Sequence, residues 1–504
     1  MNKITNNKQI AKNSLYLYFR MGVLMIISFI SLRFLLNGLG SIDYGIYSAV
    51  GGLVISFSFI SHTLVSASQR FFSIDIGLND HKSLKKTYDS IILAYIIIIV
   101  VILLLLETVG IWFISTQMTI PENKFNSAMF LFQFSICTFI IHIITNPHIA
   151  LIVAHEDMRT YAIISLLEGV LKLLAALSIL WIPQDRLLIY PIMLFTVSII
   201  VFLCYFLFCY KRYNCINSKI KIDYNKIKSV FTYSSWTIFG TMAGTANNQG
   251  INLLLNIFFG PIINTAYSVG HQVSGFLSQL SNSFFSAVRP PMTKSYALGS
   301  YKQTYQLFML STKILVILLS LIIVPVYVLI DDLLYLWLGQ VDANMISFSR
   351  LMLIYSFLLA ISNPITTIIQ AAGAVKMYHG IVDSFVLLSL PISYIIFKMG
   401  GQPQSAFYVI IVVFFVAHII RLLILKKYLF YSVKLYFVKL FVPAIFVIII
   451  TCQISIVACF RIESIILKFI VVFVLSSTST LLFSYLFILN RNDRESLISL
   501  LKRK

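Results

Sequence analysis

Charge is what this sequence has least of. Only 11% of its 504 residues are Asp, Glu, Lys or Arg, against about 25% in soluble domains. Acids are scarcer than bases, 18 to 38, so the formal net charge is +20. The pattern holds no Cys-x-x-Cys pair and no His or Cys at metal-ligand spacing, so neither a zinc site nor another metal centre is expected. The six cysteines (Cys137, Cys204, Cys209, Cys215, Cys452 and Cys459) lie mostly in apolar runs and read as small packing residues. The bases are scattered singly, without a long basic arm or an aromatic-interleaved patch, which argues against nucleic acid as a partner. No cofactor is expected.

What the sequence has in quantity is apolar length. Hydrophobic residues make up 59% of it, and runs longer than the ~18 residues that cross a bilayer recur from Ser14 to Asn490. No soluble catalytic domain fits between them. The first run follows Lys3, Lys8 and Lys12 as in a signal peptide, yet it holds Arg20 and Arg33 and no small-residue cleavage site follows, so it reads as a span. Polar breaks mark fourteen candidate helices, at 14–36, 45–70, 91–115, 127–153, 161–182, 187–210, 230–259, 264–289, 307–330, 345–371, 379–398, 404–425, 439–460 and 464–489. With the N-terminus inside, the outer loops hold Lys124, Arg186, Lys398 and Arg461, while the inner segments hold most of the remaining loop bases. That asymmetry places both termini in the cytoplasm.

The chain also repeats itself. Leu35-Leu36-Asn37, Gly40 and Tyr47-Ser48 recur as Leu254-Leu255-Asn256, Gly260 and Tyr267-Ser268, and Arg70 recurs as Arg289, at offsets of 219 to 220. Asn146-Pro147, Ala154, Arg159 and Tyr161 recur as Asn363-Pro364, Ala371, Lys376 and Tyr378 at an offset of 217. Six spans separate the copies, so they share an orientation, as in transporters built of parallel repeats. The expected fold is therefore an all-α polytopic membrane protein: two six-helix lobes related by pseudo-two-fold symmetry, plus two C-terminal helices. The lobes occupy 1–210 and 230–425, a basic cytoplasmic linker occupies 211–229, and the added helices and cytoplasmic tail occupy 426–504.

Charge near a helix centre costs about 2.5–3.5 kcal/mol on insertion scales, so a buried cation needs a cavity or a partner. Arg20 lies about eight residues into span one and is a candidate cavity residue. Glu168 and Lys172, four apart on span five, can pair on one face or line a cavity together. Arg70 and Arg289 sit at equivalent ends of spans two and eight, where they can anchor at the surface or grip a phosphate. Lys313 and Arg421 read as snorkelling, and Arg350 is undecided. Span seven is polar without charge from Thr237 to Asn252, including Asn248 and Gln249; such a helix suits a wet lumen or close helix packing. In span eight His271, Gly275, Ser278 and Asn282 follow i, i+4, i+7, i+11, flanked by Gln272 and Gln279, a stripe suited to sugar hydroxyls. His62 and His142 read as satisfied buried histidines. The linker and the tail from Arg491 read as segments held to anionic lipid.

The stretch Arg33-Phe34-Leu35-Leu36-Asn37-Gly38-Leu39-Gly40-Ser41-Ile42-Asp43-Tyr44-Gly45-Ile46-Tyr47 resembles the Arg-x-Leu, Leu-Gly and Tyr-Gly-Ile/Leu-Tyr pattern of the polysaccharide (O-antigen) flippases. Those belong to the multidrug/oligosaccharidyl-lipid/polysaccharide exporter superfamily, and the span layout extends the resemblance over essentially the whole chain. It implies a non-enzymatic carrier in the bacterial inner membrane that moves polyprenyl-diphosphate-linked oligosaccharide for O-antigen or capsule synthesis. Arg20, Lys172, Arg70 and Arg289 would then meet the headgroup, and Asn248, Gln249, His271, Gln272 and Asn282 the sugars. Membrane lipids are partners, and a coupling cation stays open. Sibling readings are a cation-coupled multidrug antiporter, disfavoured by the lack of carboxylates in spans one and two, and a lipid II flippase. A membrane polysaccharide polymerase or ligase is the reading from another class, and outer loops of about a dozen residues speak against it.

Overall fold

The computed structural model describes residues 7–495 apart from 184, 214–222, 430, 460, 461, 463 and 492; for 7–15, 62, 225, 229–240, 286, 287 and 375 only the backbone is described. The side chain of His62, Cys215 and most of the basic linker thus lie outside the described residues, as do the side chains of span seven up to Gly240.

Fourteen long helical stretches run through the described residues. They are α1 (7–39), α2 (41–77), α3 (His81–Thr116), α4 (Glu122–Ala154), α5 (Met158–Trp181), α6 (Arg186–Arg212), α7 (Tyr224–Phe259), α8 (Pro261–Ala297), α9 (Tyr301–Val328), α10 (Ala343–Ala371), α11 (Lys376–Lys398), α12 (Ser405–Lys426), α13 (Val433–Cys459) and α14 (Ile465–Ile488). Eleven helices are long and apolar enough to cross a membrane, one of them running from α1 into α2. The helices α7 and α8 fall outside that set because polar residues dilute them.

Glycine makes the break between α1 and α2. Gly40 has φ 78°, a conformation only glycine adopts without strain. The break between α7 and α8 is made the same way by Gly260, φ 79°, 220 residues on.

The chain divides into two compact units, 1–265 and 266–504. The helix α7 thus packs within the first unit, which extends beyond the expected lobe. Buried amides explain this: Asn252 Nδ2 donates to the Ser48 carbonyl at 3.2 Å, Asn264 Nδ2 to Asn252 Oδ1 at 2.8 Å, and Asn256 Nδ2 to Asn264 Oδ1 at 2.9 Å. A Cβ on Gly45, in α2, would stand 1.8 Å from the Pro261 carbonyl oxygen, so the Tyr-Gly of the sequence motif permits backbone contact that any side chain forbids.

Each unit repeats the other's local geometry. The turn after α2 has Leu78, Asn79 and Asp80 amides donating to Ile74, Ile76 and Asp75 carbonyls; the turn after α8 has Leu298, Gly299 and Ser300 amides donating to Lys294, Tyr296 and Ser295. The turns after α4 and α10 match as closely, with left-handed Glu156 (φ 60°) and Gly373 (φ 75°) at equivalent places. Asn146 donates to Ser61 in the first unit, and Asn363 to Ser281 at 3.4 Å in the second.

In the second unit, two ion pairs draw α14 and its tail to the rest. Lys468 pairs with Asp332 of the short helix Ile330–Leu338, and Lys313 Nζ with Asp493 Oδ2 at 2.6 Å. Lys313 is 1% exposed and Arg421 4%, which corrects the snorkelling expected for both. Each has internal partners instead: Arg421 Nε donates to the Tyr378 hydroxyl at 3.1 Å. Arg350 pairs with Asp331 at 2.9 Å. In the first unit Lys226, at the end of the linker, turns inward to Asp75 at 3.1 Å rather than toward lipid.

Candidate functional site

Four polar residues of α5, Tyr161, Ser165, Glu168 and Lys172, follow the i, i+4, i+7, i+11 stripe of one helix face. Arg20 comes to its lower end from α1. Its guanidinium lies 4.5 Å from the centroid of the Tyr161 ring, a cation–π contact, and Nε donates to the Ser165 hydroxyl. One turn further, Glu168 interacts electrostatically with Arg20, Lys172 and His142. Lys172 Nζ donates to Glu168 Oε1 at 2.6 Å. Lys172 also lines a cavity, so the contact with Glu168 and a cavity position occur together.

That cavity measures about 240 Å³ and opens among α2, α4, α5 and α6. Its polar wall includes Tyr47, Ser135, Thr138, His142, Lys172 and Tyr190. The Tyr47 and Tyr190 rings meet edge-on at 5.2 Å and their hydroxyls are hydrogen-bonded. Sequence reasoning missed His142 as a cavity residue. The signal was present, since Leu131, Ser135, Thr138 and His142 follow the same i, i+4, i+7, i+11 spacing on α4. It also missed Tyr161 and Ser165 as partners of Arg20, which lie far from Arg20 in sequence.

The remaining candidates are placed separately. Arg70 is exposed and lies 5.9 Å from the Phe71 ring; Arg289 is exposed at the equivalent position of the second unit. On α8, His271, Gly275, Asn282 and Arg289 are exposed and Ser278 partly so, while Val273, Leu277, Ser281 and Phe285 are buried. The predicted polar stripe is thus the open face of that helix, with Gln272 half-buried beside it. Asn248 and Gln249 on α7 are half-buried, the Gln249 side-chain oxygen lying close to Gly52 of α2. For Asn252, close helix packing is the reading that holds.

No protein-family model and no curated protein matches the sequence. Solved structures do. The lipid II flippase MurJ in an inward closed conformation aligns with a TM-score of 0.71 at 13% identity, covering 95% of this chain and 98% of its own. An inward-facing multidrug resistance MATE family transporter of the MOP superfamily gives 0.67 at 11% identity, covering 81% and 97%. A MOP superfamily transporter from Pyrococcus furiosus, whose binding pocket is described as reversed in polarity, gives 0.60 at 12% identity, covering 83% and 95%. The chain has the fold of these multi-pass membrane transporters, and its solved neighbours are transporters and flippases, not enzymes.

Proposed function

We propose that this protein is a flippase that carries polyprenyl-diphosphate-linked oligosaccharide from the cytoplasmic to the outer leaflet of a bacterial inner membrane, for O-antigen or capsule synthesis. The observation that carries this reading is a guanidinium held inside the first unit by an aromatic face and a hydroxyl, neither of which cancels its charge. Arg20 is fixed on α5 by Tyr161 and Ser165, and its planar fork suits bidentate phosphate contact. In the second unit the open stripe of α8 carries His271, Gln272 and Asn282, neutral groups suited to sugar hydroxyls, and in the first unit α7 carries Asn248 and Gln249 of the same kind. Arg70 in the first unit and Arg289 in the second are exposed guanidiniums at equivalent positions, each suited to phosphate contact.

The match to the lipid II flippase supports a lipid-linked cargo. It covers 95% of the chain, whereas the multidrug transporter leaves about a fifth unmatched, a difference the size of the two appended helices. In this reading 14–210 and 230–425 act as the two lobes, and both termini face the cytoplasm. Deleting the gene and analysing lipid-linked intermediates tests it. Complete repeat units accumulate on the inner leaflet if the protein exports them; unpolymerised units on the outer face point to a polymerase instead.

A further inference from the structure

We propose that the cavity lined by Lys172 and His142 is a subsite for an acidic sugar, a pyranose bearing a carboxylate, within the transported glycan. This rests on the flippase reading and narrows its cargo. The size sets the class of occupant. A volume of about 240 Å³ gives room for one monosaccharide.

The walls set the chemistry. Tyr47 and Tyr190 supply aromatic surface of the kind that packs on the C–H face of a pyranose, and Ser135 and Thr138 supply hydroxyls for its ring substituents. Charge sets the sign. The electrostatic neighbours of Glu168 are Lys172, His142 and Arg20, so one carboxylate faces two permanent cations and an imidazole. Glu168 accepts from the Lys172 ammonium at 2.6 Å, and an ammonium has three N–H donors, which leaves donors for a second carboxylate. A neutral sugar leaves that excess positive charge unanswered, whereas a hexuronate answers it.

The diphosphate belongs elsewhere on the same stripe. Ser165, which holds Arg20, lies seven residues before Lys172, about 10 Å along the helix axis. Arg20 therefore stands toward the end of the bundle where α5 begins, and Lys172 deeper along it. A cargo gripped by its phosphates at Arg20 reaches the cavity with a sugar.

The test uses the full-length protein in lipid nanodiscs, titrated with methyl β-glucuronide, methyl β-glucoside and inorganic pyrophosphate. The wild type prefers the glucuronide by about tenfold, the size of one hydrogen bond to a charged group. Lys172→Gln erases that preference, Lys172→Arg keeps most of it, and Arg20→Ala weakens pyrophosphate binding. Equal affinity of the wild type for the two glycosides overturns the proposal without reference to any variant. So does a preference that survives in Lys172→Gln, or pyrophosphate displacing the glucuronide from the cavity. A wild type without preference that still translocates lipid-linked saccharide in proteoliposomes defeats only the acidic-sugar subsite. A protein that translocates none defeats the flippase reading itself.

Discussion

At the scale of single residues, Arg20 carries most of the account. Its partners are an aromatic face and a hydroxyl, neither of which neutralises it, and Glu168 is shared with Lys172. A guanidinium so placed keeps charge available for an anion. Arg20→Lys retains partial export and Arg20→Ala reduces it tenfold or more, a loss of the order of one charge-assisted hydrogen bond, about 1.5–3 kcal/mol. Membrane abundance of the variants, read on an immunoblot, stays at the wild-type level. Normal surface glycan in Arg20→Ala would make Arg20 structural. Lys313 makes the opposite case, a buried cation that is fully spoken for. Removing its partner in Asp493→Asn leaves an uncompensated ammonium and destabilises the protein by about 3–5 kcal/mol, while adding Lys313→Met restores most of the loss. Thermal melts of the detergent-solubilised protein read both; a double variant no better than the single one would show that the pair is not what holds the tail.

At the scale of elements, the repeat makes predictions of opposite sign at equivalent turns. Glu156 and Gly373 occupy the same left-handed position after α4 and α10, and a side chain there costs about 1–2 kcal/mol. Glu156→Gly therefore raises the melting temperature and Gly373→Ala lowers it. Matching shifts of one sign would refute the equivalence. Gly45→Ala is a sterner case, because the atom it would strike is backbone: folded protein is lost, whereas Gly22→Ala, with open space around it, is accepted at full yield in the membrane fraction. These turns show how much of the architecture was legible. Gly40, Gly260 and the spaced Asn-Pro pairs exposed the repeat because backbone geometry constrains residue type at those points. The partners of Lys313, Arg421 and Lys226 were not legible, since a cation near a helix end reads alike whether it reaches water or a buried acceptor. Asn252 was ambiguous for a similar reason, as an uncharged amide serves a wet wall and a packed interface equally.

At the scale of the whole molecule, apolar runs and polar breaks were sufficient for the order of the helices, because each helix must satisfy its own backbone within lipid, although α7 and α8 fall short on hydropathy. The cavity was not, because it is assembled from four helices whose lining residues lie far apart in the chain. Polarity marked α7 and α8 as unusual, and the structure separates their roles: α7 is tied into the first unit by Asn252 and Asn256, while α8 leaves His271, Asn282 and Arg289 open. Such a division suits a carrier whose cargo meets neutral groups and few cations, held firmly enough to be selected and loosely enough to be released. Translocation itself is the claim that most needs measuring. Purified protein reconstituted into liposomes with a polyprenyl-diphosphate-linked oligosaccharide is exposed to a membrane-impermeant glycan-modifying enzyme. The account predicts that lipid initially shielded in the inner leaflet becomes accessible with wild-type protein, and stays shielded in protein-free liposomes and with Arg20→Ala. Shielded lipid that remains inaccessible with the wild type would contradict it.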